Sequence, residues 1–187
     1  IKERADSSGL EIFRNLRAKV LELDDTRPVT QAICGFWETP GRPWEDSEPA
    51  FAQMDVHSYN YQWQQYESDH EKFPERIIIG TESFPMEAFE NWQMVEKHPY
   101  VIGDFVWTGM DYFGESGIGS SKLDNEDIPF LPPCPWFNAH CGDISVLGYK
   151  TPQMYFRDVV WRNSRLEMLV HAPIPEGRKE IISYWGW

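Results

Sequence analysis

Hydrophobic and polar residues follow one another in blocks that predict an alternation of helices and strands. Residues 9–23 carry apolar side chains at helical spacing, with charged residues on the opposite face. Asp6-Ser7-Ser8 offers oxygen atoms that can cap the start of this helix, and Pro28 cannot continue it. The pattern therefore predicts an amphipathic helix with one face packed against the domain.

Apolar segments with strand character then recur along the chain. They cover residues 29–36, 55–63, 76–83 and 100–112. Their starts are separated by about 21–26 residues, with polar or helical segments between them, which is typical of βα units in a parallel sheet. A last helix is predicted at 151–162. The predicted fold class is therefore α/β.

The third predicted strand, "RIIIGTES" at 76–83, ends on a charged residue. Its run of isoleucines predicts a strand buried on both faces, as in parallel sheets covered by helices. The strand leads directly into Gly80, Thr81 and Glu82. A carboxylate in this position either interacts with the dipole of the next helix or takes part in chemistry.

The number of βα units bounds the domain organisation. Four such units make half of a (β/α)8, or TIM, barrel, which needs about 250 residues when whole. We therefore expect residues 1–163 to be half of such a barrel, and residues 164–187 to be a linker and the first strands of a truncated, β-sandwich-like domain. Half a barrel exposes two sheet edges, and the chain starts at Ile1, so a fragment of a longer protein is expected. The patternless residues 113–140 are too many for an idle connection, and we expect them to lie near a site or over one.

Composition excludes several classes of function. A net charge of −13 argues against nucleic acid and anionic membranes as partners, because both require clustered Lys and Arg. No Gly-rich phosphate-binding motif follows any strand. Cys134, His140 and Cys141 lack the fourth ligand and the paired-cysteine spacing of a zinc site, so these thiols, like Cys34, are interpreted as free and buried.

Aromatic, amide and acidic residues gather where the predicted strands end. In parallel barrels, ligands bind at the C-terminal ends of the strands. The residues there are Phe36-Trp37-Glu38, Asn60-Tyr61-Gln62-Trp63, Thr81-Glu82-Ser83 and Trp107-Thr108-Gly109-Met110-Asp111. Rings stack on the apolar faces of sugars, while amides and acids bind their hydroxyl groups. With 15% aromatic residues in an acidic chain, this pattern indicates a neutral carbohydrate ligand.

Several of these segments resemble one known family. "RIIIGTESFP" and "HPYVIGDFVWTGMDYFGESGIG" are similar to the catalytic barrel of glycoside hydrolase family 2, and most of all to its β-galactosidase-like bacterial members. "LELDDTRPVT", "DVHSYNYQ" and "LGYKTPQMYFRDVVW" also fit, so the likeness covers nearly the whole chain.

The resemblance implies a retaining β-galactosidase-like hydrolase and assigns roles to particular residues. Glu82 matches the family's nucleophile, Tyr61 matches the tyrosine that hydrogen-bonds to it, and Trp107 matches the tryptophan that lines the sugar subsite. The strands would then be five to eight of the barrel. The acid/base glutamate would fall just before Ile1, so we expect the isolated chain to be inactive.

For five further residues, both a substrate-binding role and a structural role stay open. Asn60, Trp63, Asp111, Glu115 and His140 are candidate substrate-binding residues or structural ones.

Two further residues favour a structural role, Glu38 as a loop acid and His57 as a core histidine.

Substrate class and partners are constrained less tightly. β-Glucuronidase is disfavoured, because Ser120 in "SSKLDN" stands where the family's glucuronidases have asparagine before a lysine. β-Mannosidase remains an alternative, as does a non-catalytic carbohydrate-binding remnant. The resemblance implies no organic cofactor; some relatives use Mg or Na, but no ligand set here establishes either. The expected partners are a carbohydrate and the rest of the parent polypeptide, while homo-oligomer formation and a periplasmic or cytoplasmic location stay open.

Overall fold

A computed structural model describes residues 6–127 and 136–186 of the chain. Two compact units make up the structure. The first runs to Glu82 and includes Gln93–Asp104, and the second comprises Ser83–Trp92 and the chain from Phe105 onward. No helix among the described residues is both long and apolar enough to cross a membrane.

The first unit opens with the amphipathic helix that the sequence predicts. Helix α1 spans Ser7–Leu23 and begins at Asp6, whose carboxylate accepts hydrogen bonds from the Gly9 N–H at 2.9 Å and the Ser8 hydroxyl at 2.7 Å. These bonds hold the pKa of Asp6 below its usual value. Phe13 is the residue of α1 that is buried, so the helix packs on a narrow apolar stripe.

A sheet of short strands forms the centre of this unit. The strands lie in chain order, and the pairs β1/β2 and β2/β3 are parallel. Their bounds are Ala32–Cys34 (β1), His57–Asn60 (β2), Ile78–Ser83 (β3) and Val101–Val106 (β4). The α/β class with a parallel sheet is thereby confirmed. The strands are shorter than predicted, in part because Tyr61 has a positive φ of 58° that ends the extended backbone of β2.

Short helices connect the strands, as the spacing predicts. Each begins with a single 3₁₀ turn that leads into an α-helix. The α-helices are α2 (Glu48–Phe51), α3 (Tyr66–Lys72) and α4 (Ala88–Lys97), preceded by the turns Trp44–Ser47, Trp63–Gln65 and Pro85–Glu87.

Aromatic rings dominate the core of the first unit. Tyr59 is fully buried, and its ring stacks on Phe51 at 4.8 Å and meets the edge of Tyr66 at 5.1 Å. Ile33 and Ile78 are also fully buried and extend this core along the sheet. The high aromatic content is therefore used in part for packing.

A buried ionic cluster ties the sheet to α2 and α3. Arg76, 4% exposed, pairs with Glu48 and lies 3.5 Å from a carboxylate oxygen of Asp69, which is 1% exposed. Asp69 accepts hydrogen bonds of 2.8 Å from both the Tyr59 hydroxyl and the Trp44 indole N–H. The cluster gives each buried charge a partner, which is the condition for burying charges at all.

The second unit contains little regular structure. Strand β5 (Lys122–Leu123) pairs antiparallel with β6 (Glu180–Ile181), and helix α5 covers Pro152–Val160. Loop segments meet through single bridges, such as Tyr112 with Ala139. The long segment predicted at 113–140 is therefore ordered by loop-to-loop pairing where the structure describes it.

Helix α5 holds its neighbouring loop through polar side chains. Thr151 and Gln153 both donate to the Gly142 carbonyl, at 2.6 and 2.7 Å. Arg157, 2% exposed, donates from Nε to Asp143 at 2.7 Å. Burial raises the pKa of Asp143, while the Arg157 guanidinium opposes that shift.

Some expectations from the sequence differ from the structure, and others are not tested by it. The strand pattern at 166–175 forms no strand, and residues 179–186 contribute only Glu180–Ile181, because the exposed segment has no sheet to join. The described residues form no closed barrel. The partial barrel and the boundary at 163/164 stay predictions, and the predictions for residues 1–5, 128–135 and 187 lie outside the described residues.

Replacing Arg76 tests the ionic cluster. Arg76→Met is expected to lower the free energy of unfolding by about 3–5 kcal/mol, because Asp69 stays buried without its cation. Urea unfolding followed by tryptophan fluorescence measures the change. As a control, Arg27→Met removes an 84% exposed partner of Asp24 and should leave the midpoint unchanged. Equal midpoints for both variants would contradict a stabilising role for the cluster.

Candidate functional site

The ends of three parallel strands are joined by one buried amide. Asn60, 2% exposed, accepts a hydrogen bond from the Thr81 hydroxyl at 2.7 Å and donates to the Cys34 sulfur at 3.4 Å. These bonds connect β2 to β3 on one side and to β1 on the other. Because both ends of the amide are engaged, the contacts favour a structural role for Asn60 over direct sugar binding.

A bulge in β3 places Glu82 beside the end of β2. Tyr59 pairs with Gly80, but the next residue, Asn60, pairs with Glu82, so Thr81 is an extra residue in β3. The Tyr61 N–H then donates to the Glu82 carbonyl at 2.7 Å. Glu82 is half-buried at this point. A bulge of this kind changes the direction in which a strand presents its side chains.

Tyr61 sits in a conformation that few large residues adopt. Its φ of 58° lies in the left-handed region, which costs about 1–3 kcal/mol for a residue with a side chain. The side chain is 8% exposed, and its ring lies 5.3 Å from the ring of Trp37. Such conformations persist only when surrounding contacts enforce them, and they concentrate at functional sites.

Gly80, which precedes the extra residue of β3, lies close to two polar side chains. A Cβ atom on Gly80 would lie 2.6 Å from a carboxylate oxygen of Asp104 and 2.8 Å from the Tyr66 hydroxyl. Burial, together with the charge of Asp104, raises the pKa of Tyr66, so its phenol stays neutral. A larger residue at this position would displace these side-chain ends, which explains why a glycine interrupts the apolar strand just before Thr81 and Glu82.

In the second unit, a chain of hydrogen bonds starts at Trp107. The Trp107 N–H donates to the Ser83 carbonyl at 2.9 Å, and the peptide bond that follows Trp107 is cis. The indole Nε1–H donates to the Tyr112 hydroxyl at 3.2 Å, and Tyr112 donates to the carboxylate of Glu115. Burial and the bond to Glu115 raise the pKa of Tyr112, which keeps the linking proton in place.

Asp111 is engaged by its own unit. One carboxylate oxygen accepts the Gly142 N–H at 2.8 Å, and the other lies 3.4 Å from the Asn138 amide nitrogen. Asp111 is 8% exposed, and Asn138 is 1% exposed. These contacts make Asp111 an organiser of the loop around Gly142.

Three other candidates have defined surroundings. His140 is half-buried, and its backbone N–H donates to the Ile118 carbonyl at 2.6 Å. Its ring packs edge-to-face with the ring of Trp136, with 5.4 Å between the ring centres. Trp63 packs against the core of the first unit. The Nδ1 atom of His57 lies 3.2 Å from the Ile77 carbonyl, and burial lowers the pKa of His57, as expected for a core histidine.

The structure thus groups the predicted residues into two sets. Asn60, Tyr61 and Glu82 meet in the first unit, whereas Trp107 and Glu115 are linked in the second. Glu38 is exposed on a loop. The link, Tyr112, was missed by sequence reasoning, although its spacing of three residues from Glu115 in "DYFGE" was a usable signal.

Two of the cysteines lie in described regions and both are buried, free thiols. Burial, helped by the negative charge of Asp111, raises the pKa of Cys141 to about 12. No group of three or more metal-ligating side chains occurs among residues 6–127 and 136–186. Cys134 lies outside these residues.

Comparisons with known proteins identify relatives of this chain. A member of glycosyl hydrolase family 2 from Bacteroides cellulosilyticus is 37% identical, covers 86% of this chain and superposes with a TM-score of 0.73. A second solved member, from B. cellulosilyticus DSM 14838, is 34% identical over 86% of the chain, with a TM-score of 0.65. The chain resembles glycoside hydrolase family 2 in both sequence and fold. The resemblance to this family is therefore confirmed.

Two further comparisons are with proteins named as β-glucuronidases. A curated protein from Formosa agariphila named "Putative beta-glucuronidase" is 30% identical over 101 residues, which is 52% of this chain. An FMN-binding β-glucuronidase from Facaelibacterium prausnitzii L2-6 covers 81% of the chain with a TM-score of 0.58, but at 15% identity it shows only the fold. No protein-family model matches the chain.

The chain spans only a small part of each relative. It covers 19% and 18% of the two Bacteroides structures, 26% of the Facaelibacterium structure and 9% of the Formosa protein. The activity of a whole relative therefore does not transfer directly to this chain.

The thiol of Cys141 provides a test of its environment. With a pKa of about 12, Cys141 should react with iodoacetamide at pH 8 at least about a hundredfold more slowly than an unfolded thiol. Pulsed alkylation with peptide mass spectrometry measures this rate, and urea-unfolded protein is the control. Fast labelling of the native protein would contradict the burial of Cys141. Labelling that appears only after EDTA treatment would indicate that a metal ion protects the thiol.

Proposed function

We propose that this chain is part of a glycoside hydrolase that cleaves terminal β-glycosidic bonds with retention of configuration. The observation that carries the proposal is the placement of Glu82, half-buried at the end of a parallel strand and bonded to Tyr61. It is supported by 37% identity to a solved family 2 member over most of this chain. The sheet would represent strands five to eight of a (β/α)8 barrel, and residues 164–187 would open a following β domain.

In this mechanism Glu82 acts as the nucleophile. Its carboxylate attacks the anomeric carbon, the bond to the leaving oxygen breaks, and a covalent glycosyl-enzyme forms. A second carboxyl group, about 5–5.5 Å away in retaining enzymes, protonates the leaving oxygen and later activates the water that releases the sugar. We assign that second role to no residue of this chain, so the rest of the parent polypeptide is a required partner.

The neighbours of Glu82 supply position rather than chemistry. Tyr61 orients the carboxylate, and its buried, conformationally restricted ring suits a fixed hydrogen-bond donor. Asn60 and Thr81 hold the strand end in which Glu82 lies. A nucleophile fixed in this way needs less reorganisation before it attacks.

Trp107 forms the floor of the sugar subsite in this proposal, with Glu115 as a hydroxyl-binding acid. The hydrogen bonds through Tyr112 fix the orientation of the indole and of the carboxylate together. Neutral sugars are recognised by such pairs of an aromatic face and a hydrogen-bonding acid. Trp63 is proposed for an outer subsite, and His140 stays a candidate substrate-binding residue.

The preferred substrate is a β-D-galactoside, on the resemblance of the motifs to β-galactosidase-like members. A β-glucuronide, which Ser120 disfavours, is nevertheless a second candidate because the Formosa relative carries that name. β-Mannoside hydrolysis and a non-catalytic carbohydrate-binding role are further alternatives. A panel of substrates that differ only in the sugar separates these possibilities.

Mechanism-based labelling tests the nucleophile. The full-length polypeptide that carries this sequence should be labelled by 2-deoxy-2-fluoro-β-galactosyl fluoride on the peptide that contains Glu82, because the fluorine slows release of the glycosyl-enzyme. Peptide mass spectrometry locates the label, and mannosyl and glucuronyl reagents run in parallel. Glu82→Gln should abolish labelling and lower kcat by about a thousandfold or more.

Glu38→Gln is the control, since it changes an exposed acid on the loop that follows β1 and should leave labelling intact. A label on a different carboxylate would contradict the assignment of Glu82. Absence of both labelling and hydrolysis with all three sugars would favour the non-catalytic alternative.

Removing one hydroxyl tests the anchoring of Trp107. Tyr112→Phe keeps the ring but deletes the acceptor for Trp107 and the donor to Glu115, so kcat/KM should fall about fivefold, the equivalent of one hydrogen bond. Steady-state kinetics measures the effect. Tyr149→Phe, which alters a 71% exposed tyrosine, is the control and should match the unmodified enzyme. Identical kinetics for both variants would show that the hydrogen-bond chain does not contribute.

A further inference from the structure

A cleft lies at the strand ends of the first unit, and the roles assigned so far do not use it. It has a volume of about 420 Å³, within the range of small-molecule sites. Its lining includes Gly35, Trp37, Pro40, Arg42, Trp44 and Gln62. The cleft therefore combines indole rings, an amide and a guanidinium at the ends of β1 and β2.

Two hydrogen-bond donors converge over Gly35. A Cβ atom on this glycine would lie 2.7 Å from Nε2 of Gln62 and 3.1 Å from Nε1 of Trp37. A side chain at this position would displace both groups, so glycine is what allows the amide and the indole to approach. Within the described part of the chain, neither nitrogen donates a hydrogen bond that would occupy it.

The ring of Trp37 connects this cleft to the candidate nucleophile. It is 53% exposed, and its packed side lies 5.3 Å from the ring of Tyr61 at a tilt of 43°. Tyr61 is in turn bonded through its N–H to the Glu82 carbonyl. An indole that is about half exposed, next to the end of the sheet where Glu82 lies, offers a surface on which a sugar ring can stack.

The charges in the cleft favour a neutral ligand. The guanidinium of Arg42 donates from Nε to Asp46 at 2.8 Å and lies 4.4 Å from the centre of the Phe36 ring. Its charge is therefore already balanced within its own loop. The groups left for a ligand are an aromatic face and two neutral N–H donors, which suit hydroxyl and ring oxygens.

We propose that this cleft binds the leaving-group sugar, the monosaccharide on the far side of the bond that is cleaved. Trp37 stacks on that sugar, and the N–H groups of Trp37 and Gln62 donate to its oxygens. The inference rests on the proposed function and extends it, because it makes a β-linked disaccharide or longer neutral oligosaccharide the preferred substrate. A glycoside with a small leaving group uses only the part of the site around Glu82.

Paired substrates separate leaving-group binding from the first chemical step. The full-length polypeptide is assayed with β-galactobiose and with β-galactosyl fluoride, whose fluoride leaving group has no sugar to bind; mannosyl and glucuronyl pairs run alongside. For Trp37→Ala, kcat/KM on the disaccharide should fall at least about tenfold further than on the fluoride. Gln62→Ala should show a selective loss of about fivefold, and Trp37→Phe, which keeps a stacking ring but lacks the N–H donor, should show a selective loss of the same size and smaller than that of Trp37→Ala.

The fluoride reaction also reports folding, because a misfolded variant loses both activities. Tyr149→Ala is the control for removal of an exposed ring. Equal losses on both substrates would mean that Trp37 only supports Tyr61, and equal retention would mean that the cleft is unused; either result overturns the inference. If the unmodified polypeptide cleaves none of the fluorides, the proposed function itself fails, and this inference fails with it.

Discussion

The hydrogen bonds of one buried amide, Asn60, fix the strand ends on which the candidate site depends. Parallel strands this short share few ladder bonds, so little else sets how their ends are arranged. By contacting Cys34 on one side and Thr81 on the other, Asn60 links three chain segments that are far apart in sequence. A polar core group is tolerated at such a place because both ends of the amide are satisfied.

The geometry around Glu82 follows from this arrangement. The extra residue in β3 and the positive φ of Tyr61 are both irregular, and each would be costly alone. Together they let the backbone of Tyr61 bond to that of Glu82. The aromatic core and the Arg76 cluster belong to the same unit and stabilise it through buried contacts of their own. Stability and site geometry thus depend on different groups of residues in this unit.

Sequence patterns recovered the features that depend on local spacing. The first helix, the order of strands and the parallel sheet all follow from the periods of apolar residues and from cap residues such as Asp6. Strand lengths did not, since the left-handed turn at Tyr61 arises from contacts with β3 rather than from tyrosine itself. The apolar pattern at 166–175 forms no strand in the structure, because a strand requires a partner edge as well as a suitable sequence.

The candidate site could be predicted only in part for the same reason. Glu82 and Tyr61 stand out at strand ends, but the engagement of Asp111 with Gly142 and Asn138 depends on loops that carry no periodic signal. Tyr112 and the donors above Gly35 become visible only when distant segments are placed side by side. Residues that act through non-local contacts are thus the ones that a single sequence reveals least.

The pairing of β5 with β6 has a consequence for synthesis of the protein. Lys122–Leu123 leaves the ribosome well before its partner, Glu180–Ile181. At a translation rate of about 5–20 residues per second, this segment waits several seconds with its backbone groups unpaired. Gly142 and Asp143 likewise wait for the side chains of Gln153 and Arg157. These parts of the second unit can therefore pair only after their C-terminal partners are made, and a ribosome stalled before α5 would present them to chaperones and proteases.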